Sequence, residues 1–389
     1  MADEPAFLAD RDLLARLVAF DTAAPKDTRE IAQFLCEYLD RPGIRCERNP
    51  SPQGDQDNLV FTTGPEVDPA SRAGLTLCGH VDVVPADEPE WLSDPFVLTE
   101  TEDALVGRGA ADMKGFVALA VNTLAEAGRR RLRRPLALVL TYDEEVGTLG
   151  ARSFIATWPA DQPLPRRTVV GEPTSMAAVR LHKGFTGLHI VVPGRCAHSG
   201  YPHLGKNAIE PAARAVTALA DLRRELEREP CPNAEFFPSV PHVAFNIGRI
   251  RGGVAENVVP DRCEIDVAFR PLPGMDSAPI AERARAAVAM AVGGEHVFEV
   301  VHEAPPMFLD ADSDLYVDLC RILGQTETVS ASYATDAGWL QQGGFDCLLW
   351  GPGTIEVAHR PNESMPKEEF RRAREILGRV VENFCGPTG

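Results

Sequence analysis

Five short segments of this 389-residue chain bring histidines and carboxylates to places where apolar runs end. The first is Cys78-Gly79-His80-Val81-Asp82. Side chains two apart on a strand share a face, so His80 and Asp82 can point the same way. An Asp beside a metal-binding His can accept the second ring N–H and fix the tautomer. The second runs from Gly107 to Gly115 and carries Asp112 at the start of a helical stretch, where an N-cap is the ordinary use of an Asp. Neither GxGxxG nor GxxxxGK[ST] occurs there, which argues against a nucleotide loop. The third, Thr141-Tyr142-Asp143-Glu144-Glu145-Val146-Gly147, holds three acids in a row. Such crowding is repulsive unless the acids are solvated or a cation sits among them. The fourth is Val169-Val170-Gly171-Glu172-Pro173-Thr174, and the fifth is Gly351-Pro352-Gly353 followed by Ala358-His359-Arg360-Pro361-Asn362-Glu363. Each has a bland reading taken alone. Together they supply two His and several Asp/Glu without a Cys, a donor set suited to a zinc pair with an open or water-filled position.

The elements that must hold these groups are those of an α/β protein. Helices are expected over 12–20 and 27–40, the second with Ile31, Phe34, Leu35, Tyr38 and Leu39 on one stripe and an Asp27/Glu30 capping box. Strands over 75–84, 136–142 and 168–171 alternate with helices over 114–127 and 150–157, which predicts a sheet between helical layers. In such a sheet ligand groups gather at the carboxyl ends of the strands. All five segments lie there or in the loop that follows.

Near residue 181 the pattern changes. A strand over 185–193, a helix over 207–229, strands over 243–250 and 262–269, a helix over 277–292 and a strand over 296–302 follow the ferredoxin-like order β-α-β-β-α-β. Helix and strand alternation then returns over 314–323, 345–350 and 367–384. The expected organisation is one discontinuous domain, 1–180 plus 305–389, interrupted by an inserted domain at 181–304.

Composition narrows the functional classes. The net charge of −18 disfavours nucleic acid or an anionic membrane as partner. No apolar run reaches the roughly 18 residues of a membrane span. The acidic start Met1-Ala2-Asp3-Glu4 lacks the character of a signal peptide, so a cytoplasmic location is expected. Nine cysteines without a CxxC pair read as reduced, structural thiols and exclude a zinc ribbon.

In these five segments, in their order and spacing over nearly the whole chain, the sequence resembles the family of zinc exopeptidases and deacylases that includes acetylornithine deacetylase, succinyl-diaminopimelate desuccinylase and the folate-hydrolysing carboxypeptidase. The stretches Leu181-His182-Lys183-Gly184, Gly252-Gly253 with Asn257-Val258-Val259-Pro260, and Arg270-Pro271-Leu272-Pro273-Gly274 look most like its acetylornithine deacetylase branch. The resemblance implies a zinc-exopeptidase-like three-layer sheet domain and a ferredoxin-like lid that also dimerises. It implies two Zn2+ per subunit, with Co2+ as a substitute: one held by His80, Asp112 and Glu172, the other by Asp112, Glu145 and His359. Glu144 would be the general base, and Asp82 the partner of His80. His198, in Arg195-Cys196-Ala197-His198-Ser199-Gly200, would reach the site of the other subunit in a homodimer; Gly200 stands where Ser is common. Arg270, with Asn257 and Lys183, would grip the substrate carboxylate. A cis peptide between Asp112 and Met113 is implied as well. The implied reaction is metal-dependent hydrolysis of an N-acyl amino acid, N2-acetyl-L-ornithine to ornithine and acetate in arginine biosynthesis. The siblings are desuccinylase, acetylcitrulline deacetylase and dipeptidase. A catalytically silent binding or scaffold relative would have lost a ligand or Glu144, and all are present.

Overall fold

The computed structural model describes residues 7–24 and 26–387. The chain divides into two compact units, Met1–Arg180 with Leu309–Val329 and Asp336–Gly389, and Leu181–Phe308 with Ser330–Thr335.

The first unit is built on a mixed sheet. Its strands run in the order Ile44–Pro50, Asp57–Thr63, Leu136–Thr141, Leu75–His80, Arg167–Val170 and Asp346–Leu349, and Leu349 pairs onward with Val179. The two outer strands are antiparallel, whereas 136–141, 75–80, 167–170 and 346–349 are mutually parallel. Parallel strands covered on both faces read as unbroken apolar runs. Accordingly, every residue of Leu75–His80 and Leu136–Thr141 is buried. Leu75, Leu77, Leu136, Leu138 and Leu140 face one core with Phe116, Val117 and Val121 of helix Lys114–Ala127, joined by Leu13, Leu17, Ile376 and Leu377. The alternate residues face the other side, where helices Leu149–Thr157 and Ala337–Gln342 pack on each other.

The strand expected over 75–84 stops at His80, because the chain then leaves the ladder to deliver Val81 and Asp82 to the sheet edge. The expected Asp27/Glu30 capping box is corrected. Helix Arg29–Tyr38 has Thr28 at its N-cap without a side-chain cap. Asp27 instead accepts the Arg29 N–H at 2.8 Å, and the Thr28 hydroxyl donates to Gln56 Oε1 at 2.8 Å.

The second unit has strands Phe185–Pro193, Ala244–Gly252, Arg262–Arg270 and Val297–Ala304 in one antiparallel sheet. Its order is 244–252, 262–270, 185–193, 297–304. Helices Ile209–Leu226 and Ser277–Val292 cover the face that carries Leu188, Ile190, Ile265, Val267 and Phe269. The chain order is the ferredoxin-like one, with the short return 330–335 added. Among the described residues no helix is long and apolar enough to cross a membrane.

Candidate metal centre

The four parallel strands end at one edge of the first unit, and the acid-bearing segments follow those ends. His80 is the last residue of its strand. Asp143, Glu144 and Glu145 come just after Thr141, Glu172 just after Val170, and the His359 loop after Leu349. Asp112 precedes helix Lys114–Ala127, and its peptide bond to Met113 is cis. Gly171 is required at its position: a Cβ there would lie 1.9 Å from the Phe116 ring. The helix therefore packs against the strand end that carries Glu172.

Two groups of side chains could hold cations: His80, Asp112 and Glu172, and Asp112, Glu145 and His359. In each group the donor atoms lie within 4.8 Å of one another. Asp112 belongs to both, and its two oxygens divide between them. Oδ1 lies 3.2 Å from His80 Nε2, and Oδ2 lies 3.4 Å from His359 Nε2. His359 Nε2 is also 2.9 Å from Glu145 Oε2. Glu145 Oε1 and Glu172 Oε1 are buried without a hydrogen-bond partner. Orphaned buried carboxylate oxygens are rare and costly, so this donor set fits divalent cations between the acids.

The electrostatics of the protein groups point the same way. Burial pushes Glu145 up to about 7, with Asp112 adding to the rise and His359 opposing it. Burial and then Asp112 raise Glu172 well above the carboxylate range. Burial alone would also raise Asp112, but hydrogen bonds from His359 and His80 hold it below its ordinary value. His359 is drawn up to about 10 by its contacts with Asp112 and Glu145, against the opposing effect of burial. These shifts share one cause, like charges crowded in a buried place, which divalent cations would balance.

Asp82 does two things. The ring Nδ1 of His80 is 2.9 Å from the Asp82 carbonyl oxygen and 3.6 Å from its carboxylate. That carboxylate accepts the backbone N–H of Glu144 at 3.1 Å and of Glu145 at 3.0 Å. The backbone carbonyl of Asp82 therefore orients the His80 ring, and its buried carboxylate holds the turn that carries Glu144.

The other expected residues lie in the second unit. His198 is exposed on strand Ala197–His198, and its Nδ1 accepts the Gly200 N–H at 3.0 Å. In the neutral ring this leaves the proton on Nε2, a donor. Arg270 is partly buried with its guanidinium over the Phe185 ring, and it has no carboxylate partner among the described residues. Asn257 is an exposed turn residue whose carbonyl accepts the Ser199 N–H at 2.9 Å. Lys183 is already engaged: its ammonium donates to the carbonyls of Val240 at 2.6 Å and His242 at 2.9 Å, so only one donor is left for a substrate.

Two residues near the metal groups carry roles that depend on contacts distant in the chain. Glu363 is buried and accepts N–H bonds from Ala111 at 2.8 Å, Asp112 at 2.9 Å and Gly109 at 3.0 Å, and from the Arg108 guanidinium at 2.9 Å. It pins the loop that carries Asp112. Asp336 is buried, accepts the Thr141 hydroxyl at 2.5 Å, and is pushed up to about 6 by burial. Glu363→Ala should lower unfolding free energy by about 3–5 kcal/mol, the cost of removing one partner of a buried ion pair. Urea unfolding measures it, and a loss below about 1 kcal/mol would place Glu363 among ordinary surface pairs.

The chain is similar to known proteins over nearly its whole length. The model of peptidase family M20/M25/M40 matches residues 76–383. The acetylornithine deacetylase of Proteus mirabilis (strain HI4320) is 34% identical over 382 residues, 96% of this chain and 95% of that one. That of Pasteurella multocida (strain Pm70) is 35% identical, covering 98% of both. The M20 family metallo-carboxypeptidase Sso-CP2 from Sulfolobus solfataricus superposes with a TM-score of 0.78 at 17% identity, over 97% of this chain and 99% of that one. Human carnosine dipeptidase 1 does so with 0.73 at 17%, over 96% of both. The latter two likenesses are of fold.

Proposed function

Since this chain belongs to peptidase family M20/M25/M40, we propose that it hydrolyses N2-acetyl-L-ornithine to ornithine and acetate at the groups centred on Asp112. It is a metal-dependent amidohydrolase acting on N-acyl amino acids. The observation that carries the reading is the division of Asp112 between two histidines, one oxygen to each. His80, Asp112 and Glu172 would hold one ion, and Asp112, Glu145 and His359 the other, with zinc as the resident metal. Bound divalent ions polarise a carbonyl and bring the pKa of water down from 15.7 towards about 7.

The protein's own groups do the rest. Glu144 takes a proton from the water that attacks the amide carbon. It then delivers the proton to the nitrogen as the C–N bond breaks. Asp82 keeps that turn in place through the two backbone N–H groups. His198, its Nε2–H free to donate, would stabilise the oxyanion from the partner subunit of a homodimer. Arg270 would receive the substrate α-carboxylate in two parallel hydrogen bonds. Its partly buried guanidinium without a carboxylate partner among the described residues supports this, and Asn257 and Lys183 would assist. A cytoplasmic biosynthetic role accompanies the reading.

The test is kcat/KM across acetylornithine, acetylcitrulline and succinyl-diaminopimelate. Acetylornithine is expected to lead by at least about tenfold, the scale on which a pocket rejects a poorly matched side chain. A lead for either of the others would transfer the assignment to that sibling activity.

A further inference from the structure

Away from the metal groups, the first unit places two thiols in contact. Cys36 lies on helix Arg29–Tyr38 and Cys46 on the outermost strand Ile44–Pro50, and their Sγ atoms are 3.2 Å apart. Their meeting follows from periodicity. Gln33 and Cys36 stand three apart on one helix face, and Cys46 and Arg48 stand two apart on one strand face. Both cross-pairs form: besides the sulfur contact, the Arg48 guanidinium donates to Gln33 Oε1 at 2.6 Å. Arg48 also donates to Asp57 Oδ2 at 3.0 Å on the neighbouring strand, which fixes its position.

We propose that Cys36 and Cys46 form an oxidation site that a hydroperoxide converts to a reversible disulfide. Cys46 is exposed and Cys36 partly so, and among the described residues no other pair of cysteines is in contact. A disulfide has its sulfurs about 2.05 Å apart, so closure asks for roughly 1.2 Å of movement at an edge strand. The chemistry favours Cys36 as the attacking sulfur. Either thiol can donate in the sulfur contact; with the proton on Cys46 and the Arg48 charge nearby, Cys36 is drawn down to about 7 against the opposing effect of burial, while Cys46 is raised. Thiolates beside cationic groups are the reactive ones.

The step balances. The Cys36 thiolate attacks one peroxide oxygen, the O–O bond breaks, and the leaving oxygen takes one proton from solvent, equal to the one Cys36 released, departing as an alcohol or water and leaving a sulfenic acid on Cys36. The Cys46 sulfur then attacks the Cys36 sulfur, the S–S bond forms, and water departs with the Cys46 proton. Two thiols are oxidised by two electrons and one peroxide is reduced.

The test uses the folded full-length protein and hydrogen peroxide, followed by alkylation of the remaining thiols and peptide mass analysis. The expected product is a Cys36–Cys46 linked peptide pair, two hydrogens lighter and restored by dithiothreitol. It should form about fivefold faster than Cys196, an exposed cysteine, is consumed, as the thiolate character of Cys36, partly offset by lower nucleophilicity, predicts. Cys46→Ser should abolish the bridge, keep hydrolytic activity, and let dimedone trap a sulfenic acid on Cys36. Loss of Cys196 before Cys36, a bridge from Cys36 to a different cysteine, or no sulfenic acid in Cys46→Ser would each overturn the proposal.

Discussion

Glu144→Ala lowers kcat by about 10²–10⁴-fold, the range for a proton-transferring side chain, and leaves the metal content unchanged. Glu144 belongs to neither donor group, yet it adjoins Glu145, which belongs to one. Its environment suits the task. Desolvation by the surrounding protein raises its carboxyl well above the ordinary range; His80 opposes the rise, and Glu172, Asp336 and Glu145 add to it. A base that must take up a proton and later release it works best when its pKa is near the working pH. The backbone N–H bonds to Asp82 hold the turn, so the substitution removes the carboxylate without freeing the loop. The measurement is steady-state kinetics together with metal analysis of the same sample. Retention of kcat would remove Glu144 from the mechanism; loss of metal with kcat would make it a ligand.

Asp112→Ala has a different signature, because metal and activity go together. Removing a partner that merely orients a ligand costs about 10–100-fold in metal affinity, so losing a direct ligand common to both groups should cost more than about 100-fold. The geometry explains why the loss reaches both groups: Asp112 Oδ1 faces His80 and Oδ2 faces His359. Without it, two histidines would confront Glu145 and Glu172 with nothing between. Thermal unfolding of the metal-free variant serves as the control for folding. Metal binding at native affinity in Asp112→Ala would deny Asp112 its shared place.

Much of the site was legible because it is local in sequence. Parallel strands buried on both faces show as runs such as Leu136-Ala-Leu-Val-Leu, and acids placed where such runs end are conspicuous. Helix Lys114–Ala127 was readable to its ends for the same reason. Contacts distant in sequence were not. Glu363 stood in view four residues after His359, but its role lies in three backbone N–H groups some 250 positions earlier, and backbone donors leave no mark in a sequence. The Asp27/Glu30 box had the right residue types, but the Thr28 hydroxyl found Gln56 on the far side of a strand. Lys183 reads as a substrate cation, but that two of its three donors go to the carbonyls of Val240 and His242 leaves no mark in the sequence. Strand Ile44–Pro50 escaped notice because only one of its residues is buried, and with it went the meeting of Cys36 and Cys46.

Titration of the chelator-stripped native chain with zinc, followed by calorimetry, goes most directly to whether two cations lie among these acids. Two equivalents are expected per chain, with protons released as they bind, because carboxylates and imidazoles must be deprotonated to serve as ligands. No zinc uptake, or hydrolysis of acetylornithine at full rate by the stripped protein, would contradict a metal centre built around Asp112.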